Sequence, residues 1–264
     1  MAPKTNTTIR FLGTGHGNAC GNRYHTSILF KMEGRTFLFD CGEPCCHLLK
    51  KNGDDFKKIE ALILTHLHGD HVGGFQMLMQ GMWLEGRKQP MPVHLPREGV
   101  KPLSEILKMG YLVPDLTGFK MEWHPLKTGK KISFGPVTVT PHPSTHLEQI
   151  KQIVRKSLNA PCEAYCFEIQ SRRHRIGFSA DIGVPQDLEP LVSKPLDLLI
   201  CELAHFDPED LFHYLRGRPI RKIVFTHLAE QFYAVHGKLL RTASRHLGAG
   251  KVSLARDGMV VNLV

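Results

Sequence analysis

The residues most able to do chemistry lie together in one short segment, 61–71 (ALILTHLHGDH). It begins with an apolar run of the kind that forms a buried strand, which stops at Thr65. Four side chains that can bind metals follow: His66, His68, Asp70 and His71. Imidazole suits zinc, iron, manganese or nickel, and a carboxylate oxygen accepts the harder of these ions. The segment therefore predicts a transition-metal site directly after a strand.

The spacing within this segment divides the four side chains between two points. Side chains i and i+2 of an extended segment point the same way, so His66 and His68 can bind one cation. Gly69 lets the chain turn, so that Asp70 and His71 face a second point close by. The sequence therefore predicts two neighbouring metal sites, for which this segment supplies only part of the ligands.

Three later residues are candidates for the missing ligands. His146, Asp181 and His227 each follow an apolar, strand-like run. Taken alone, a His at a strand end is more often a hydrogen-bonded structural residue, and an Asp before Ile-Gly is commonly a turn residue. Their order and their placement at strand ends favour the ligand interpretation once the first cluster is accepted.

Strand-like runs that end in polar side chains recur along the whole chain. They lead to Asp40, His66, His146, Asp181, Glu202 and His227. Such strand ends indicate a layered α/β protein with its site along one sheet edge. Helix-like segments lie between them, at 43–52, 73–84, 98–110, 147–158, 185–193, 207–216 and 230–247. We therefore predict one domain over residues 1–264, with two mixed β-sheets packed face to face and helices outside.

Composition narrows the class of protein. The net charge of +9 favours a small anionic substrate about as strongly as it favours a solvated basic face. The basic clusters are not interleaved with aromatic residues as in a nucleic-acid groove. No stretch approaches the ~18 apolar residues of a membrane span, and no apolar signal region begins the chain, so we expect a cytoplasmic protein with no membrane partner. Seven cysteines without a CxxC pair argue against a disulfide framework.

The segment HLHGDH at 66–71 resembles the HxHxDH signature of the metallo-β-lactamase superfamily. Residues 11–18 (FLGTGHGN) and 37–43 (FLFDCGE) look like the N-terminal motifs of its tRNase Z-like branch. The resemblance extends over nearly the whole chain. It implies an αββα sandwich with a dinuclear metal site at the edge of the sheets.

The resemblance also implies roles for the site residues. The first of two divalent transition-metal ions would be bound by His66, His68 and His146, the second by Asp70, His71 and His227, and both by Asp181. Zinc is the first expectation, and manganese, iron and nickel stay open. Asp40 would orient a ligand histidine. Two such ions would bring the pKa of a shared water towards neutrality, and Asp70 would hold that water as a base.

Two branches of the superfamily compete. Enzymes of the tRNase Z family carry an arm that grips tRNA between the third ligand His and the bridging Asp. Here His146 and Asp181 are only 35 residues apart, and the gap reads as one helix and two strands. We therefore do not expect tRNA to be the substrate.

The second branch is the cyclic phosphodiesterase of phosphonate breakdown, which lacks that arm. Its segments around the last ligand resemble residues 202–205, 227–232 and 257–259. In that family the His before the last ligand serves catalysis, which implies that His205, set between Glu202 and the metals, protonates the leaving group. The extra Cys-rich metal site of that family is not matched, because Cys20 stands alone.

Several interpretations stay open. The first is a hydrolase of a small cyclic or diester phosphate, and the alternatives on the same fold are a tRNase Z-like ribonuclease or a hydrolase of a lactone, ester or thioester. A non-catalytic binding or redox protein is a further alternative, although all seven ligand positions are filled. The Met-rich stretch 76–84 is core packing or else a homodimer face or substrate lid. The loop 15–25 could line the site, with His16 and His25 as rim or structural residues.

Overall fold

The protein is described by a computed structural model over residues 7–264. Its strands are β1 Thr7–Gly13, β2 Ser27–Met32, β3 Arg35–Phe39, β4 Ala61–Ile63, β5 Met91–Leu95, β6 Met121–Pro125, β7 Ile132–Phe134, β8 Val137–Pro143, β9 Tyr165–Gln170, β10 Arg175–Phe178, β11 Leu198–Leu203, β12 Ile223–Leu228, β13 Val252–Leu254 and β14 Val260–Leu263. Its helices are α1 Cys45–Lys51, α2 Gly69–Val72, α3 Phe75–Leu84, α4 Val100–Met109, α5 Pro114–Thr117, α6 Lys151–Leu158, α7 Glu189–Val192, α8 Pro208–Leu215, α9 Gln231–Ala234 and α10 His236–Leu247.

The strands form two seven-stranded sheets. The first has the order β14-β1-β2-β3-β4-β5-β6 and the second the order β13-β12-β11-β10-β9-β8-β7. Each sheet is mixed: β3 and β4 are parallel and β1 and β2 antiparallel, while β11 and β12 are parallel and β8 and β9 antiparallel. The predicted pair of mixed sheets is confirmed.

The two sheets pack face to face through a core rich in phenylalanine. Phe39 of the first sheet lies 5.2 Å from Phe167 and 5.3 Å from Phe178 of the second, measured between ring centroids. Strand β3 shows why: alternate side chains point to opposite faces, so Phe37 and Phe39 enter this core while Leu38 enters the one on the other face. The near-continuous apolar runs of the sequence are therefore strands buried on both faces.

Helices cover the outer face of each sheet. Leu49 of α1 and Leu78 of α3 belong to the core outside the first sheet, together with Leu62 of β4. Phe212 of α8 packs on Phe225 of β12 outside the second sheet, with ring centroids 5.5 Å apart. The predicted αββα sandwich is confirmed. None of the helices within residues 7–264 is long and apolar enough to cross a membrane.

The structure differs from the sequence prediction in a few elements. Strands β5 and β6 were not predicted, because Pro92 and the polar, half-exposed β6 (MEWHP) give no clear strand pattern. The predicted helix 230–247 is two helices, since the backbone leaves helical geometry at Val235. The predicted helix 147–158 begins at Lys151, after a run of turns.

The Met-rich stretch 76–84 is only partly core. Met79 and Met82 are fully buried on α3, as core packing requires, but Met77 is 56% and Leu84 68% exposed. Core packing therefore accounts for one face of the helix, and a homodimer contact through the other face stays a prediction.

Candidate metal centre

The candidate ligands meet at one edge of the sandwich because they follow the ends of neighbouring strands. His66 and His68 follow β4, and the short helix α2 then begins at Gly69 and carries Asp70 and His71. His146 follows β8, Asp181 follows β10, and His227 lies near the end of β12. Side chains far apart in the sequence are therefore brought together by the sheet topology.

These seven side chains form two donor sets that share one residue. The first donor set is His66, His68, His146 and Asp181, and the second is Asp70, His71, Asp181 and His227. Within each set one atom of every residue lies within 4.8 Å of the others. The structure therefore brings together the seven side chains named as candidate ligands, with Asp181 common to both sets.

Asp181 lies between the two sets. Its Oδ2 atom is 3.3 Å from the Nε2 atoms of His71 and His227 and 3.7 Å from those of His66 and His146. A single carboxylate oxygen facing four imidazole nitrogens is positioned to serve two cations at once.

The donor atoms themselves lack partners. The Nε2 atoms of His66, His71 and His227 and Oδ1 of Asp181 are buried without a hydrogen-bond partner among residues 7–264. Such atoms are costly to bury unless a bound group satisfies them. A mixed set of nitrogen and carboxylate oxygen donors suits divalent transition metals, and zinc, manganese, iron and nickel are all compatible with it. The residues present therefore fit two metal ions.

Asp40, which by the resemblance would orient a ligand histidine, contacts His71. Its Oδ2 lies 2.8 Å from Nδ1 of His71, which leaves Nε2 of the ring facing the donor set. Asp40 is itself fixed by Thr65, whose backbone N–H and hydroxyl donate to its two oxygens at 2.8 and 3.0 Å. Such outer partners set the tautomer and the ring orientation of a metal ligand.

Two threonines contact the other two buried ligand rings, and neither role was predicted from the sequence. Thr65 Oγ1 lies 3.1 Å from Nδ1 of His66, and Thr26 Oγ1 lies 2.8 Å from Nδ1 of His227. The signal for Thr65 was its position directly before the histidines. No local signal marks Thr26, which is 201 residues from its partner.

Backbone strain is concentrated at the same place. Asp40, Ala180 and His227 have positive φ angles of 55°, 46° and 49°, which non-glycine residues rarely adopt. His227 is also where the pairing of β11 with β12 shifts register, since Glu202 faces Thr226 and Leu203 faces Leu228. Strained residues of this kind cluster at functional sites, where the surrounding structure over-determines them.

At three of the candidate ligands, electrostatics favour the protonation states that bind metal. Burial lowers the pKa of His66 and lowers that of His146 to about 4, so both rings are neutral near pH 7. Burial opposes ionisation of Asp181, but His227 and His71 outweigh it and hold its pKa well below the ordinary value. Metals require neutral imidazole and ionised carboxylate.

His205 lies beside the two sets and is held by Glu202. Its Nδ1 is 2.8 Å from Glu202 Oε2, and its Nε2 is 3.9 Å from Asp181 Oδ2. Glu202 is buried and also accepts the backbone N–H of Ile182 at 2.7 Å, next to Asp181. Burial alone would lower the pKa of His205, but the hydrogen bond and charge of Glu202 raise it overall.

The loop after β1 lies against the second donor set. A Cβ atom added to Gly17 would lie 3.8 Å from both carboxylate oxygens of Asp70. The ring of His16 is edge-on to that of His227, with centroids 6.5 Å apart. The loop therefore lines the site, and His16 is in neither donor set, as the rim interpretation expects.

This fold is the metallo-β-lactamase fold, as the resemblance of the HLHGDH segment implied. Within that class the chain belongs to the family described as "Anti-Pycsar protein Apyc1", whose profile matches residues 7–215. His227 lies beyond the matched residues, so its place in the second donor set rests on the geometry.

Curated relatives are similar over part of the chain. A ribonuclease Z of Methanothermobacter thermautotrophicus is 34% identical over 165 residues, which is 62% of this chain and 48% of that protein. A ribonuclease Z of Methanococcus maripaludis is 43% identical over 103 residues, 39% of this chain and 33% of that protein. The chain thus spans about half or less of the length of these relatives.

Solved structures match nearly the whole chain. The metallo-β-lactamase-fold protein YhfI of Bacillus subtilis has a TM-score of 0.77 and 19% identity, covering 98% of this chain and 100% of that one. The short form of human tRNase Z has a TM-score of 0.73 and 20% identity, covering 96% and 98%. A diphosphatase from the PhnP family has a TM-score of 0.68 and 18% identity, covering 98% of each. At these identities the likeness shows the fold alone.

Proposed function

We propose that the protein is a phosphodiesterase that hydrolyses a small cyclic or diester phosphate with the help of two divalent transition-metal ions. The observation that carries this proposal is the position of Asp181, whose Oδ2 faces Nε2 atoms of both donor sets at 3.3–3.7 Å. Two cations close together suit a phosphoryl centre, at which both the attacking and the leaving oxygen need stabilisation.

Metal ions held by the two donor sets would lower the pKa of a shared water and neutralise the charge that builds up on the phosphate oxygens. Asp70 would orient that water and accept its proton. Burial opposes ionisation of its carboxyl group, but His71 and His227 hold the pKa of Asp70 below its usual range. The carboxylate is therefore available at neutral pH.

His205 would give a proton to the leaving oxygen. Glu202 accepts a hydrogen bond from Nδ1 and favours the protonated ring, so that Nε2 can carry a proton towards the centre. An alkoxide is a strong base and leaves slowly unless it is protonated. His205 is one-third exposed, which gives it access to a substrate.

A small anionic substrate suits the protein better than a folded RNA. The net charge of +9 attracts anions. Between His146 and Asp181 the chain forms α6, β9 and β10 and no extended arm. We therefore expect a small phosphate ester rather than tRNA.

A tRNase Z-like ribonuclease is the second candidate. It is favoured by the 34% and 43% identity to the two ribonucleases Z, although each match leaves more than a third of this chain outside it. A lactone, ester or thioester hydrolase is the third, because the same donor sets would polarise a carbonyl group equally well.

One comparison of substrates separates these candidates. The protein, loaded with zinc or with manganese, is assayed with bis-p-nitrophenyl phosphate, a precursor tRNA and a γ-lactone, and an Asp181→Ala variant controls for contaminating activity. We expect hydrolysis of the diester by the wild type alone. Efficient cleavage of the precursor at its 3′ end, or turnover of the lactone without turnover of the diester, would contradict the proposal.

A further inference from the structure

An apolar groove opens beside the first donor set. It has a volume of about 670 Å³, and both Leu67 and His68 line it. Leu67 packs closely on Gly99, where an added Cβ would lie 2.7 Å from Leu67 Cδ2. A groove of this size is typical of sites for small organic ligands. Because His68 also belongs to the first donor set, the groove and the candidate metal centre adjoin.

One wall of the groove is a helical stripe of which only Leu147 is buried. Leu147 and Ile150 precede α6, and Val154 and Leu158 lie on it, at the three- and four-residue spacing that places side chains on one helix face. No residue of α6 is buried, and Ile150 and Leu158 are 40% and 73% exposed. An amphipathic helix ordinarily packs its apolar face on the core. Here that face lines an open groove instead.

The charged residues of the lining would not suit a second phosphate. Lys101 is the one cation among them, and it is accompanied by Glu98 and Glu163. Glu98 accepts the backbone N–H of Glu163 at 2.7 Å, so the two carboxylates lie in the same part of the lining. The remaining walls are mostly apolar. The groove therefore suits the uncharged part of a substrate whose phosphate lies at the metals.

We propose that this groove is the subsite for an apolar organic substituent, an alkyl or aryl group, of the phosphate ester that reacts beside it. The inference rests on the proposed function, because the reacting phosphate defines which end of the substrate enters the metal centre. Burial of each additional methylene group would then strengthen binding by about three- to fourfold, until the groove is filled.

The first experiment measures binding and does not depend on turnover. Methyl-, butyl- and octylphosphonate are titrated calorimetrically into the metal-loaded protein. We expect affinity to rise steeply with chain length in the wild type. The rise should be lost in Val154→Lys and in Leu158→Lys, which place a cation in the groove.

The control is Ile153→Lys on the same helix. Ile153 is 68% exposed and does not line the groove, so this variant adds the same charge to α6 without entering the subsite. It should keep the chain-length dependence of the wild type. All variants should bind methylphosphonate and metal as the wild type does, because none of these residues belongs to a donor set.

The second experiment repeats the series with methyl, butyl and octyl p-nitrophenyl phosphates. We expect kcat/KM of the wild type to rise with chain length and that of Val154→Lys to stay flat. Phosphonate affinities that are independent of chain length, or equal losses in Ile153→Lys and Val154→Lys, would overturn the inference. A third outcome would also overturn the inference: chain length has no effect, and the wild type is a dimer that Val154→Lys dissociates. The groove would then be a contact between two copies of the chain. Chain-length-dependent phosphonate binding without hydrolysis of any diester would instead overturn the proposed function alone.

Discussion

The hydroxyl of Thr26 lies 2.8 Å from Nδ1 of His227 and also donates to the carbonyl of Gly15 at 3.1 Å. Because the hydroxyl proton is used on Gly15, the oxygen can only accept from His227, and Nδ1 must carry the ring proton. The Nε2 lone pair is then free and faces the second donor set. Thr26 thus selects the tautomer of His227 that can bind a metal.

Replacing Thr26 by Val should therefore weaken the second metal site. Valine has nearly the shape of threonine but cannot accept the hydrogen bond, so both the tautomer and the orientation of His227 are released. Losing an outer partner of a metal ligand typically costs about 10- to 100-fold in metal affinity. Competition with a chromogenic zinc chelator measures this change at each site.

Thr26→Ser is the matched control, because it keeps the hydroxyl and should retain wild-type affinity at both sites. A Val variant that binds two metals as tightly as the Ser variant would show that Thr26 is only a packing residue.

Metal content tests the donor sets directly. Purified protein should hold about two transition-metal ions per chain, because each donor set offers four ligand residues. Asp181→Ala should lower occupancy at both sites, since Asp181 is the residue they share, whereas His68→Ala should affect the first site alone. Elemental analysis after dialysis measures the ratio.

His47→Ala, which alters an exposed histidine on α1, is the control and should keep the full complement. Full metal content in both Asp181→Ala and His68→Ala would contradict the assignment of ligands.

The sequence predicts most directly those ligands that lie close together along the chain. The segment 66–71 supplies ligands for both donor sets within six residues, so their spacing alone indicates the division between the two sets. His146, Asp181 and His227 carry no such pattern individually. They could be predicted from their order and from strand ends, because the carboxyl ends of neighbouring strands meet at one edge.

The remaining features depend on tertiary contacts. Thr26 acts on a residue 201 positions away, and no periodicity connects the two. Strand β6 is half-exposed and polar, and it forms because β5 offers a parallel edge to pair with. The groove was likewise not predicted, because the helical spacing of Leu147, Ile150 and Val154 is equally typical of a face packed on the core.

Acid stability should depend on a histidine pair outside the metal centre. His94 of β5 stacks on His124 of β6 with ring centroids 4.9 Å apart, and burial, with a contribution from His124, lowers the pKa of His94 to about 4. In the unfolded chain His94 takes up a proton near its ordinary pKa of 6.5, whereas in the folded protein it is protonated only near pH 4. Stability should therefore fall as the pH falls through this window.

Replacing His94 by Phe removes the titrating group and keeps a ring against Phe134, which lies 5.9 Å from His94. Melting temperatures measured in chelator at several pH values should fall less steeply for His94→Phe than for the wild type. The exposed His47→Phe serves as control and should follow the wild type. Parallel curves for His94→Phe and the wild type would show that His94 does not contribute to the acid transition.

The final prediction concerns His205. If it protonates the leaving oxygen, His205→Ala should keep both metals and lower kcat by about 10²–10⁴-fold for an alkyl leaving group, the usual contribution of a general acid. The loss should shrink for nitrophenolate, which leaves without a proton. A His205 that only packs beside Glu202 would instead reduce stability and affect all leaving groups equally. Turnover of wild type and variant is therefore measured against a series of leaving-group pKa values, with metal content as control, and a constant ratio along the series would exclude the acid role.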